Sequence, residues 1–398
     1  MDPLNKARTG VALLASEADL LALELFVVGY EGESVPDDYA QDLRQGLAGV
    51  ILFRRNLRYD AAGIVDIDHV CTHTAQIHAL ADAQPGGLPP VCSVDQEGGA
   101  VARLRAPFTL FPPMRLLGDT NDSELLAAVG RQLGRELAAA GFNVDYAPVL
   151  DVDTNPANPI IGDRAFAREP EQVARLAGIV LRSMQQEGVA GCGKHFPGHG
   201  DTDTDSHLDL PVLRHDLDRL KAVELMPFLR LAEDLRLVMT AHVLFPAIDP
   251  RVPATLAPEI LGPLLRVHCG YRGVVVSDDL EMQGIAKVLD PGACVVQGLE
   301  AGVDLFLVCR RRDVWRQARA AAADVLAGRR GASAQMRALD AIERVRQLRR
   351  GLSRNRPDAQ RLRQVFAEPE TLRLRARLAA GTLATAPSAP RPTVGETQ

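Results

Sequence analysis

The chain has 398 residues, 46% of them hydrophobic and 4% aromatic, and a formal net charge of -6. That composition supports a sizeable core and excludes a disordered chain. The acidic balance gives no general pull toward nucleic acid or an anionic membrane, so a partner has to be recruited by a specific site.

Near the amino terminus, "VALLA" is too short for a signal-peptide core, and no run approaches the length of a membrane span. The six cysteines (71, 92, 192, 269, 294 and 309) form no CxxC pair. They read as small core residues of a cytoplasmic protein, with neither a disulfide frame nor a zinc site.

Short apolar, branched runs then recur: "LFVVG" (25–29), "GVILF" (49–53), "PPVCSVD" (89–95), "NVDYAPV" (143–149), "VAGCGKHF" (189–196), "LRLVMTAHV" (235–243), "GVVVSDD" (273–279) and "VDLFLV" (303–308). Between them lie segments with apolar residues at i, i+3 and i+4, such as 122–141 and 171–188, which end at Gly as helices tend to. Eight strand and helix units in about 300 residues predict an α/β fold, a closed (β/α)8 TIM-type barrel over 21–310 behind a lead-in, 1–20. A doubly wound open sheet is the structural competitor.

From about Arg310 the chain turns rich in Arg and Ala, and the pattern predicts a C-terminal helical extension over 311–385. Its arginines read as solvated faces of helices packed outside the barrel, since acidic residues and Ala are interleaved and aromatics are nearly absent. The segment 386–398, rich in Pro, Thr and Ser, is expected to be disordered.

Polar clusters follow five of the runs: "DQEGG", "DVDTNPANPIIGDRAF", "KHFPGHGDTDTDSH", "AHV" and "SDD". In a barrel these are the carboxyl ends of the strands, the rim that hosts active sites. His195 and His199 have a spacing that suits one metal ion on a helix, but the intervening Phe-Pro-Gly breaks a helix and the spacing loses that meaning. No metal and no cofactor is expected.

Metal-free glycoside hydrolysis needs a nucleophile or base below the sugar ring and a proton donor at the leaving oxygen. Asp278, at the end of "GVVVS", is aimed into the mouth, whereas Asp279 points away and suits a helix cap. "DSH" offers Asp205 and His207, in which the carboxylate fixes the imidazole tautomer and the imidazole titrates near neutral pH. Asp95 can accept two sugar hydroxyls, and Arg103, Arg164 and Lys194 can donate to hydroxyl or carbonyl oxygens. A metal-dependent barrel hydrolase and a non-catalytic sugar-binding barrel remain as alternatives.

"DQEGGAVARL", "IIGDRAF", "KHFPGHGDTDTDSHLDLP" and "VVVSDDLEMQGI", in this order, resemble the family 3 glycoside hydrolases, and most of all their single-domain bacterial β-N-acetylglucosaminidase (β-N-acetylhexosaminidase) branch of cell-wall recycling. The likeness runs from about residue 20 to about 310. It implies a retaining, metal-free mechanism on a substrate with a terminal N-acetylglucosamine, in a monomer or homodimer. By match to the motifs, Asp278 is the nucleophile and His207, partnered by Asp205, the acid and base. Asp95, Arg103, Arg164, Lys194 and His195 match positions that bind the sugar. β-Glucosidase relatives place the acid and base in a second domain, which the "DSH" here makes unnecessary. Some members use phosphate instead of water, and the residues do not decide between the two.

Overall fold

The computed structural model describes residues 2–9, 11–84, 86–203 and 210–383. Asp205, His207 and the tail 386–398 lie outside the described residues.

The eight apolar runs supply the eight barrel strands: β1 (Phe26–Val28), β2 (Gly49–Leu52), β3 (Val91–Val94), β6 (Val144–Asp145), β7 (Ala190–Phe196), β8 (Leu237–Thr240), β9 (Val274–Asp279) and β10 (Leu305–Val308). The short β4 (Gln96–Gly98) and β5 (Val101–Ala102) form a hairpin at the end of β3. The barrel order is β1-β10-β9-β8-β7-β6-β3-β2, all parallel. Val28 pairs with Val50 on one side and Val308 on the other, so the sheet closes and the open-sheet alternative falls away.

The helices form as their sequences require. Ser123–Ala139 starts where the Asp122 carboxylate accepts from Leu125 N at 2.9 Å, and Pro170–Gln186 starts with proline in its first turn. Each buries one apolar face against the barrel or its neighbour.

Inside the barrel, period-two alternation stacks inward side chains in layers. Val27, Val91, Ala190, Val274 and Leu305 lie low, with Ile51, Tyr146, Cys192, Met239 and Leu307 among the side chains above them. The helix Ala332–Gly351 closes the lower end, where Val345, Leu348 and Leu352 join the same cluster. Each of these three contributes about 2 kcal/mol by leaving water.

Most arginines of the extension are exposed, as expected, but several are not. Arg319 meets Asp19 and Asp42, Arg346 meets Asp2 and Glu24, and Arg337 and Arg344 join Arg266 on the fully buried Asp304. Their carboxylate partners come from elements remote in sequence, which helical periodicity cannot reveal. The described residues contain no helix long and apolar enough to cross a membrane. All six cysteines are free and buried.

Candidate active site

The inward alternation that stacks the core also delivers the polar residues at the upper mouth. On β9, Val274 and Val276 point into the barrel, and Asp278 continues the series at the rim. On β7, Ala190 and Cys192 lead to Lys194 in the same way, and Val91 leads past Ser93 to Asp95. A cavity of about 100 Å³ opens there, lined by Asp95, Arg103, Arg164, Lys194, His195 and Asp278 above Tyr146, Met239 and Leu307. The six candidate residues that the structure describes therefore meet in one place.

Their charges are organised around two carboxylates. Asp95 accepts from Lys194 Nζ at 2.9 Å and from Arg103 Nη2 at 3.3 Å. Glu97, which the sequence reading passed over, takes Arg164 in a two-point pair, Nε and Nη2 each at 2.8 Å, and Lys194 Nζ at 2.6 Å. Burial alone would raise both carboxyls, but the facing cations hold Asp95 and Glu97 below the usual carboxylate range. Lys194 is correspondingly held up against its own burial by Asp95 and Glu97. The site is a lattice of fixed charges in a poorly solvated mouth, able to offer both donors and acceptors to sugar hydroxyls without rearranging.

The hairpin keeps this lattice in shape. Gly98 and Gly99 turn it at φ of 106° and 57°, where a side chain at Gly98 would meet Pro112 O at 2.9 Å. Gln96 then locks the returning strand, its Oε1 accepting from Arg103 N at 2.9 Å and Leu104 N at 3.0 Å. Below it, Asp145 Oδ1 accepts from Gln96 N at 2.9 Å while Oδ2 has no partner among the described residues, and burial pushes this carboxyl up to about 8.

His195 is set by Asp151, a second residue that the sequence reading did not single out. Asp151 Oδ2 lies 2.6 Å from His195 Nδ1, and Oδ1 accepts from His199 N at 2.7 Å. Since a carboxylate accepts, His195 Nδ1 carries the hydrogen of this bond. Burial works against an ionised Asp151, but His195 and His199 draw it below its usual range. His199 Nδ1 sits on Thr202 Oγ1 at 2.8 Å, with its ring edge-on to His195 at 5.8 Å. The two histidines thus follow a strand and a turn, each with its own partner. Among the described residues no group of three or more His, Cys, Asp or Glu is placed to hold one metal ion.

At the end of β9 both aspartates border the cavity, and the expected division between them is not seen. Asp278 is half-buried and accepts from Asp279 N at 2.8 Å. Asp279 is not a helix cap, because the next helix begins at Gln283 behind Met282. Its Oδ1 instead accepts from Cys309 N at 3.2 Å and Glu281 N at 3.1 Å, tying the ends of β9 and β10 together, and it also borders the cavity. Burial, then Glu281 and Asp278, raise its carboxyl well above the usual range. His242, from the "AHV" segment, steadies the same corner with Nε2 at 3.1 Å from Asp279 O.

The model of the glycosyl hydrolase family 3 N-terminal domain matches residues 24–348, and so reaches into the helix that floors the barrel. A beta-hexosaminidase of Pseudomonas aeruginosa (strain LESB58) is 38% identical over 268 residues, 67% of this chain and 76% of that protein. One from Neisseria meningitidis (strain FAM18) is 39% identical over 288 residues, 68% of this chain and 74% of that protein.

Among solved structures, a family 3 beta-N-acetylglucosaminidase from Paenibacillus sp. str. FPU-7 superposes with a TM-score of 0.80 at 36% identity, covering 91% of this chain and 68% of that one. NagZ from Neisseria gonorrhoeae gives 0.72 at 31% identity, covering 89% and 97%. With the family model spanning most of the chain, and with curated hexosaminidases this similar, the chain belongs to glycosyl hydrolase family 3 and is a glycoside hydrolase.

Proposed function

We propose that the enzyme is a retaining exo-β-N-acetylglucosaminidase that works through a covalent glycosyl-enzyme. The observation that carries this reading is the place of Asp278, a half-buried carboxylate on the wall of a cavity that also holds hydrogen-bond donors and acceptors able to meet sugar hydroxyls. The names of the similar proteins, beta-hexosaminidase and beta-N-acetylglucosaminidase, support the substrate class. A small cavity floored by fully buried Tyr146 favours one terminal ring over a chain passing through. The unpaired, buried cysteines support a reducing, cytoplasmic setting.

In this reading Asp95, Arg103, Arg164, Lys194 and His195 hold the hydroxyls and the acetamido oxygen of the terminal sugar. A carboxylate oxygen of Asp278 bonds to the anomeric carbon as the glycosidic C–O bond breaks, and His207, protonated and oriented by Asp205, gives its proton to the leaving oxygen. Neutral His207 then takes a proton from water, whose oxygen displaces Asp278 and leaves the configuration as it began. The assignment of His207 and Asp205 rests on the "DSH" motif, since both lie outside the described residues.

A panel of aryl β-glycosides tests the substrate class. The N-acetylglucosaminide is expected to exceed the glucoside and xyloside by at least about 100-fold in kcat/KM, because a site built to hydrogen-bond the acetamido group loses those bonds with a sugar that lacks it. A preference for the glucoside sinks the reading, and release of sugar 1-phosphate when phosphate is added would make the enzyme a phosphorylase.

Leaving-group dependence tests the acid. His207→Ala is expected to slow substrates with basic alcohol leaving groups far more than nitrophenyl ones, since only the former need a proton in the first step. An equal loss across leaving groups would remove His207 from that role.

A further inference from the structure

At the end of the barrel opposite the sugar site, the chain buries a positive charge with no carboxylate bonded to it. The last turn of the helix Ala332–Gly351 places Arg349 at 1% exposure. Its Nε donates to Pro89 O at 2.9 Å, and its Nη2 to Gln84 Oε1 at 2.6 Å and Leu88 O at 3.2 Å. All three acceptors are neutral, and Nη1 makes no hydrogen bond among the described residues.

The neighbouring acids are already engaged. Glu24 gives both carboxylate oxygens to Arg346, each at 2.7 Å, and Glu343 takes Arg350 at 3.1 Å. The carboxyl end of its own helix supplies Arg349 with only partial negative charge. A buried ion left in this state is costly, and a bound counter-charge relieves it.

Space for one is present. Arg349 borders a cavity of about 430 Å³, whose wall also includes Gln45, Leu20, Leu21 and Arg346 with its two carboxylate partners, Asp2 and Glu24. The wall thus combines guanidinium and amide donors with leucine side chains, and its two carboxylates are already paired with Arg346. Guanidinium N–H groups match the geometry of carboxylate and phosphate oxygens.

We propose that this cavity is a second binding site, separate from the glycosidase site, for a small oxyanion with a short apolar body. An organic carboxylate and a phosphate monoester share that chemistry. The anion's oxygens meet Nη1 of Arg349, and its carbon part lies on Leu20 and Leu21. Burial lowers the Arg349 guanidinium to about 10, which still leaves it charged at neutral pH and in want of an anion.

The test is thermal unfolding of the full chain titrated with inorganic phosphate, acetate and butyrate at constant ionic strength, with chloride as the reference. The unsubstituted enzyme is expected to show a saturable rise in Tm, about 2 °C at ten times Kd. Arg349→Met is expected to abolish it. Leu20 is 39% exposed, so Leu20→Glu is tolerated while it places a carboxylate at the mouth of the cavity, and it too is expected to remove the response.

Response to butyrate beyond acetate marks an organic acid, and response to phosphate alone marks a phosphate ester. The absence of any saturable rise over chloride overturns the site, as does an undiminished rise in Arg349→Met. Should that variant not fold, an undiminished rise in Leu20→Glu overturns it instead.

Discussion

The Asp278→Ala enzyme is expected to lose at least about 10⁴-fold in kcat/KM on an aryl N-acetyl-β-glucosaminide, the scale seen when a covalent nucleophile is removed. Among the described residues that line the cavity, no other carboxylate stands ready to replace it. Asp279 is engaged by Cys309 N and Glu281 N, and Asp95 and Glu97 are bound to cations. Asp278 itself is half-buried at the rim of the barrel, so its replacement is expected to change stability by less than about 1 kcal/mol. Unchanged unfolding beside lost turnover separates chemistry from fold. Azide, small enough to enter the space left by the carboxylate, is expected to restore turnover and give a glycosyl azide of inverted configuration, since only one displacement then occurs. Near-normal activity without azide would remove Asp278 from the reaction.

Glu97→Ala is expected to act on the fold as strongly as on the chemistry. Lys194 would keep Asp95, but Arg164 would lose both of its charged hydrogen bonds and retain only Ile160 O at 3.2 Å. Stranding a buried cation costs about 3–5 kcal/mol, which denaturant unfolding will read directly. The pH dependence has a definite sign. Glu97 has a folded-state pKa far below its ordinary value of 4.5, so its contribution is complete above about pH 4.5 and is lost as pH falls below that. The unsubstituted enzyme should therefore lose stability on acidification more steeply than Glu97→Ala. Parallel acid profiles for the two proteins would show that the carboxylate is not ionised against its cations.

The sequence makes the frame of this site legible and leaves its supports obscure, for a physical reason. Strand runs carry a local signal, a dense apolar stretch with a polar residue at its end, and that signal leads directly to Asp95, Lys194 and Asp278. Glu97 was within reach of the same logic, since it lies two residues after Asp95 in the quoted "DQEGG". Asp151 was too, as the first residue of the quoted "DVDTNPANPIIGDRAF", but its bond to His195 spans 44 residues and no local pattern marks that pairing. The arginines of the C-terminal helices show the same limit: Arg346 and Glu24 are 322 residues apart, and no periodicity marks such a pair. The helix-cap reading of Asp279 erred because capping is a local pattern, and the competing partner, Cys309 N, belongs to the next strand.

The floor helix also sets a timetable for biogenesis. Phe26 on β1 pairs with Phe306 on β10, about 280 residues later, and Val345, Leu348 and Leu352 come later still. At ribosomal speeds of about 5–20 residues per second, the first strand waits roughly 15–60 s for its partner. During that interval a parallel sheet of growing width has an unpaired edge and an unsealed interior, both adhesive to other nascent chains. The incomplete barrel is therefore exposed to misassembly until its last strand and helices emerge.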